Sequence, residues 1–178
     1  DHGYVRLVDS MGGDLSVVRA ARVSYDAAWR AGEDQGSDAK LIRYLWKHHH
    51  TTPFEAVTFT FEVKAPIFVF RQWHRHRTWS FNELSARYRE LPEEFYVPEP
   101  ELIGAQSSSN KQMRIVGDHI GPVQLAAPRA IKEACAASFR TYHDLIKNGV
   151  PRELARSVLP VATYSHMFAT VDLLNLMK

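Results

Sequence analysis

The clearest pattern in the chain is an alternation. Val57, Phe59, Phe61 and Val63 are separated by Thr58, Thr60 and Glu62, and a period of two is that of a half-buried strand. The longest helical pattern covers residues 128–147. There Ile131, Ala134, Cys135, Phe139, Tyr142, Leu145 and Ile146 form one apolar stripe, closed by Asn148-Gly149. Leu15, Val18, Ala21 and Arg22 predict a helix capped by Asp14 and running through Tyr25. Residues 27–37 read as a loop. Leu41, Tyr44, Leu45 and His48 predict a second helix from a cap at Ser37, broken at His49–Pro53 because a proline restrains the residue before it. Pro66 suits the first position of a helix reaching about His76. Residues 77–90 show no clean period and read as an ordered polar loop. Phe95-Tyr96-Val97 reads as a short strand between prolines, and 104–122 as a flexible insertion or lid. Pro151 opens a short helix that ends before Pro160. Residues 161–171, rich in Val, Thr, Tyr and Phe, read as a strand, and Asp172 caps a last helix. The expected fold is α+β, a single domain over 1–178 with a central, mostly antiparallel sheet flanked by helices.

Composition narrows the function. The 178 residues are 45% apolar, enough for a core. With 22 basic and 20 acidic residues the formal charge is +2, so net charge does not point to nucleic acid, and no nucleic-acid partner is expected. The single cysteine, Cys135, cannot form an internal disulfide or a paired-thiol zinc site. It falls on the apolar stripe, where a thiol is a packing group more often than a nucleophile. A reducing, cytoplasmic setting is expected. The first ten residues carry no leader pattern, and no apolar run approaches the roughly 18 residues of a membrane span. The chain lacks a starting Met and stops within an apolar-rich stretch at Lys178, so residues are expected beyond it, above all at the C-terminal end.

The chemistry concentrates in Arg71-Gln72-Trp73-His74-Arg75-His76-Arg77, followed by Ser80, Asn82, Glu83, Ser85, Arg87 and Tyr88. Guanidinium groups hold phosphates bidentately and aromatic rings stack on flat ones. Such a set suits a ligand with both a phosphate and a planar ring, namely a nucleotide or a flavin. A solvated basic face is the plainer alternative. His48-His49-His50 invites a metal reading, but consecutive helical residues point in different directions, so no metal site is expected. Ser85 has no evident local base and reads as a phosphate ligand.

Arg75-His76-Arg77, seven residues and then Ser85 resembles the R-H-R-x7-S signature of flavin-dependent thymidylate synthases. Asn82-Glu83-Leu84-Ser85 and Arg87-Tyr88 resemble that family's N-E-x-S-x-R-Y block. Arg19–Ser24, Thr52–Glu55, Lys64-Ala65-Pro66, Arg71-Gln72-Trp73 and Gly149–Arg156 with Leu159-Pro160 resemble further blocks, in order along nearly the whole chain. The resemblance implies methylation of dUMP to dTMP. Methylenetetrahydrofolate would supply the carbon, and FAD reduced by NADPH the hydride. It implies a homotetramer with active sites between subunits. It assigns Arg75, His76 and Arg77 to FAD, with Thr52, Glu55 and Glu83 near it, and His50 beside flavin and folate. It assigns Gln72, Arg75, Glu83, Leu84, Ser85, Ala86, Arg87 and Arg156 to dUMP. The family arginine thought to polarise the uracil ring would lie beyond Lys178, so no catalytic residue is expected within 1–178, and a protein ending there would bind nucleotide with little turnover. Asp172 and Leu174 stand where many members carry an Asn and an Arg near FAD, which puts adenine contacts there in doubt; Asn175 is a candidate substitute. Two other readings remain open at this point. One is an RNA or single-stranded DNA module gripping through 71–89, against which the acids Glu83, Glu90, Glu93 and Glu94 count. The other is a flavoprotein reductase.

Overall fold

The structure is a computed structural model that describes residues 2–117 and 121–178. Part of the expected 104–122 insertion, residues 118–120, therefore lies outside the described residues. In chain order the strands are β1 (Tyr4–Met11), β2 (Thr58–Pro66), β3 (Ser80–Glu83), β4 (Ala105–Gln106), β5 (Arg114–Ile115) and β6 (Tyr164–Asp172). The helices are α1 (Asp14–Arg22), α2 (Gln35–Lys47), α3 (Ile67–Trp73), α4 (Pro100–Ile103), α5 (Pro122–Lys147), α6 (Arg152–Ala155) and α7 (Leu173–Leu176). Contacts divide the chain into two compact units. One, here the helix unit, holds Asp1–Gly3, Ala65–Phe70 and Leu84–Ser165; the other, the sheet unit, holds Tyr4–Lys64, Arg71–Glu83 and His166–Lys178.

The main sheet has the order β1-β2-β6-β3. β1 runs antiparallel to β2, from Tyr4 opposite Lys64 to Met11 opposite Thr58, with an irregularity between Leu7 and Asp9. β3 runs antiparallel to β6, from Ser80 opposite Thr170 to Glu83 opposite Met167. The core of the sheet unit is built on Val17, Leu45, Phe54, Val57 and Leu174, with Ala21, Leu41, Ile42, Phe59 and Leu173 against it. Burying each large aliphatic or phenyl group there contributes about 1.5–3 kcal/mol. Gly12 joins β1 to α1 at φ +82°, and a Cβ there would lie 2.7 Å from the Ala56 carbonyl oxygen, so the tight approach requires glycine.

In the helix unit the centre of the α5 stripe packs as its spacing predicts, while Ala134 is exposed and Ile131, Leu145 and Ile146 are half-buried. Cys135, Phe139 and Tyr142 are buried, Phe95 lies 5.9 Å from the Phe139 ring, and Val150, Val158 and Leu159 close the cluster. The buried Tyr142 hydroxyl accepts the Leu91 N–H at 3.3 Å, which satisfies a polar tip inside an apolar cluster. Gly149, at φ +82° just past the Asn148 cap, closes α5, with Val150 N–H donating back to the Leu145 carbonyl at 3.0 Å.

Several expectations shift by a few residues for local reasons. Gly13, not Asp14, precedes α1; its N–H donates to Ser16 Oγ at 3.2 Å, and Asp14 becomes the first helical residue, where its charge favours the positive helix end. Asp34 rather than Ser37 caps α2, since its carboxylate accepts N–H groups from Gly36 and Ser37 at 2.9 and 3.1 Å. Pro66 ends β2 instead of opening α3. α5 begins at Pro122 and carries Pro128 in its interior. The stretch 77–90 contains β3, which polar residues at its exposed positions concealed. Phe95-Tyr96-Val97 forms no strand; a single bridge pairs Phe95 with Thr163. Asp172 caps α7 as expected, accepting the Asn175 N–H at 2.9 Å.

Candidate active site

The Arg75-His76-Arg77 segment lies in the sheet unit between α3 and β3. Arg75 N–H donates to the Gln72 carbonyl at 3.1 Å and His76 N–H to that of Trp73 at 2.9 Å, so the helix closes in a tight turn. Trp73, at the end of α3, meets Trp79 edge-on at 5.3 Å. His74 meets Phe81 at 4.8 Å, and Phe61 on β2 lies 6.3 Å from Trp79. The two tryptophans thus bracket the turn, and the aromatics of this segment pack on one another. Gln72, Arg75, His76 and Arg77 are exposed. Among the described residues neither Arg75 nor Arg77 has an ion-pair partner, which leaves two full guanidinium charges at the tip.

Earlier in the chain, α2 ends at Lys47 and His49 takes a left-handed φ of +58°. The next residues form a short 3-10 turn, Thr52–Ala56, anchored by buried Phe54 and leaving Thr52 and Glu55 exposed. Tyr44 lies 4.3 Å from the His48 ring and 6.1 Å from that of His50. Among the described residues no group of three His, Cys, Asp or Glu side chains is placed to hold a metal. Glu83 closes β3 opposite Met167. Asp172, which stands where many family members carry an Asn near FAD, and Asn175, its candidate substitute, bond to each other, with Asn175 Nδ2 donating to Asp172 Oδ2 at 2.6 Å. Leu174 is buried in the core.

Leu84, Ser85, Ala86, Arg87 and Arg156 belong to the helix unit. Tyr88 N–H donates to the Ser85 carbonyl at 3.1 Å and Arg87 N–H to Ser85 Oγ at 3.3 Å. The hydroxyl therefore accepts a backbone bond and keeps its own proton to donate elsewhere. Ala86 is buried and pins this turn, while Arg87 projects exposed. Arg87 Nη2 lies 3.8 Å from a Glu153 carboxylate oxygen, Arg152 Nη2 lies 3.7 Å from one of Glu90, and Arg156 Nε–H donates to the Glu153 carbonyl at 3.3 Å.

One polar cluster escaped the reading of the sequence. Glu62 on β2 is buried, yet it receives the Arg6 guanidinium and the Tyr4 hydroxyl, the latter at 3.1 Å, while His166 Nε2 lies 2.7 Å from Glu62 and 2.9 Å from the Tyr4 hydroxyl. Burial pushes the Glu62 carboxyl up, but the hydrogen bonds from Arg6 and Tyr4 and the charges of Arg6 and His166 outweigh it and hold it below the usual value. Its signal in the sequence is cross-strand pairing of Arg6 with Glu62, which becomes visible once the register is known. A cleft of about 840 Å³ in the helix unit, lined by His2, Pro92–Glu99, Pro128, Lys132 and Tyr164, contains none of the expected site residues.

Residues 6–178 match the family model described as "Thymidylate synthase complementing protein". The chain is 46% identical over 178 residues to a flavin-dependent thymidylate synthase of Thermotoga neapolitana, covering all of this chain and 74% of that protein. The chain belongs to the flavin-dependent thymidylate synthase family. A Thermus thermophilus member is 48% identical over 176 residues, an alignment covering 99% of this chain and 62% of that protein. Among solved structures, a UMP/dUMP methylase, PolB from Streptomyces cacaoi bound with 5-Br dUMP, superposes with a TM-score of 0.86 at 42% identity, covering 98% of this chain and 75% of that one. The same enzyme bound with 5-Br UMP gives 0.84 at 43% identity, covering 98% of this chain and 74% of that one. The α+β fold with a mostly antiparallel sheet is thus that of its family.

Proposed function

We propose that this chain methylates dUMP to dTMP, taking carbon from methylenetetrahydrofolate and hydride from FAD that NADPH has reduced. One observation carries the reading at the level of the site. Within the Asn82–Tyr88 block, the Ser85 turn keeps a hydroxyl proton to donate and presents Arg87 exposed beside it, as a phosphate requires. Arg156, exposed on the segment after α6, adds a second guanidinium, and Gln72, Glu83, Leu84 and Ala86 complete the proposed dUMP set. Arg75 and Arg77, cations without an ion-pair partner among the described residues, fit the pyrophosphate of a dinucleotide, with His76, Thr52, Glu55, Glu83 and His50 as the remaining proposed flavin set. When bound, FAD supplies the hydride. The chain's own part is to hold phosphate charge at fixed guanidinium groups and to orient the uracil. Cys135 is buried, and burial raises its thiol pKa, which agrees with chemistry that uses no cysteine nucleophile.

The proposed assembly is a homotetramer with active sites between subunits, in the cytoplasm. No helix among the described residues is long and apolar enough to cross a membrane. The Streptomyces neighbour, complexed with both 5-Br dUMP and 5-Br UMP, favours one second reading: acceptance of UMP as well. The test is a dUMP titration of the purified protein followed through its flavin absorption bands, then product analysis with dUMP or UMP, NADPH and methylenetetrahydrofolate. Flavin bands that respond to dUMP are expected, with dTMP formed by a protein that carries the family arginine expected beyond Lys178. A protein that takes up FAD and oxidises NADPH with no response to either nucleotide overturns the reading in favour of a reductase.

A further inference from the structure

We propose that the Glu153 carboxylate is a positioning group for the phosphate-binding Arg87, beside Arg156 held by the backbone carbonyl of the same residue, and that the neighbouring Glu90–Arg152 pair fixes the register in which it does so. The proposal rests on the assignment of Arg87 and Arg156 to the dUMP phosphate. Glu153 touches each of them differently. Its carboxylate faces Arg87 Nη2 at 3.8 Å, and its backbone carbonyl accepts the Arg156 Nε–H at 3.3 Å. A guanidinium has five N–H donors, so each arginine keeps donors for a phosphate while one edge is held.

The second pair makes the arrangement directional. Residues 152 and 153 meet the segment 87–90 with crossed signs: Arg152 against Glu90 at 3.7 Å, Glu153 against Arg87 at 3.8 Å. A slip that brought Arg152 toward Arg87, or Glu153 toward Glu90, would set like charges together. All four side chains are about half exposed, so neither pair adds much to stability. Their effect lies in restricting long side chains that otherwise carry large rotamer entropy into the binding step.

The test uses the FAD-loaded full chain and compares affinity for dUMP with that for deoxyuridine, which lacks the phosphate. Glu153→Ala is expected to weaken dUMP binding about two- to fivefold, to leave deoxyuridine binding and FAD uptake unchanged, and to raise KM for dUMP rather than lower kcat. Arg152→Glu is expected to weaken dUMP similarly, and adding Glu90→Arg to restore it. Equal losses for dUMP and deoxyuridine, an unchanged dUMP affinity, or no recovery in the double variant each overturn the proposal. Arg87→Ala and Arg156→Ala separate it from the reading beneath it. If they erase the preference for dUMP while Glu153→Ala does not, the positioning role alone fails; if they too leave it intact, the phosphate assignment fails.

Discussion

Glu62 illustrates how a buried carboxylate stays charged: three partners from two neighbouring strands replace the water it has lost. Its folded pKa lies below the unfolded value of about 4.3, so its contribution to stability is present above that value and disappears as pH falls through the folded pKa. Thermal melts of the wild type and Glu62→Gln are therefore expected to differ most near neutrality and to converge in acid. A gap independent of pH would refute the assignment. Cys135 is the opposite case. Burial pushes its thiol up and keeps reagents out, so iodoacetamide is expected to label the native protein slowly and the denatured protein quickly, as read by mass. At this scale the sequence was informative about type and silent about partner. The spacing around Phe139 marked Cys135 as a packing group. Nothing in the order of residues revealed that Glu62, in the polar register of a strand, faces His166 more than a hundred positions away.

At the scale of elements, the turn between α3 and β3 owes its shape to ring packing, because a short excursion of mostly polar side chains has little else to hold it. Trp79→Ala removes the ring that Trp73, Phe61 and Phe81 share. Since Trp79 is half-buried, the expected stability cost is about 2–3 kcal/mol, somewhat below that of a fully buried aromatic. FAD affinity is expected to fall about tenfold as the Arg75–Arg77 tip loses its support; equilibrium dialysis against FAD measures it, and an unchanged affinity with a lowered melting temperature would show the bracket to be purely structural. The strong periods of β2 and α5 were legible because each has one face in a core. β3 was not, because its pairing with β6 supplies the partners that its own polar side chains do not advertise. The start of α2 was misplaced for a related reason: both Asp34 and Ser37 can cap, and the choice lies with the backbone N–H groups that a carboxylate reaches.

At the scale of the molecule, β1 lies at the edge of the main sheet and leaves Val5, Leu7, Val8 and Met11 exposed, more apolar surface than a solvated edge strand ordinarily tolerates. The proposed homotetramer offers it cover. Sedimentation velocity at micromolar concentration is expected to give a species of four chains, and a monomer throughout the range would remove that part of the proposal. The division of the chain carries a consequence of its own. The path passes from one unit to the other after residues 3, 64, 70, 83 and 165, so neither unit is a contiguous stretch of gene. No single deletion or fusion point releases one alone, and the sheet unit cannot finish condensing on the ribosome until His166–Lys178 has been made, after every residue of the helix unit. Its closing contacts join distant parts of the polypeptide, which predisposes the protein to slow renaturation and makes recombination between relatives workable for whole genes rather than for halves.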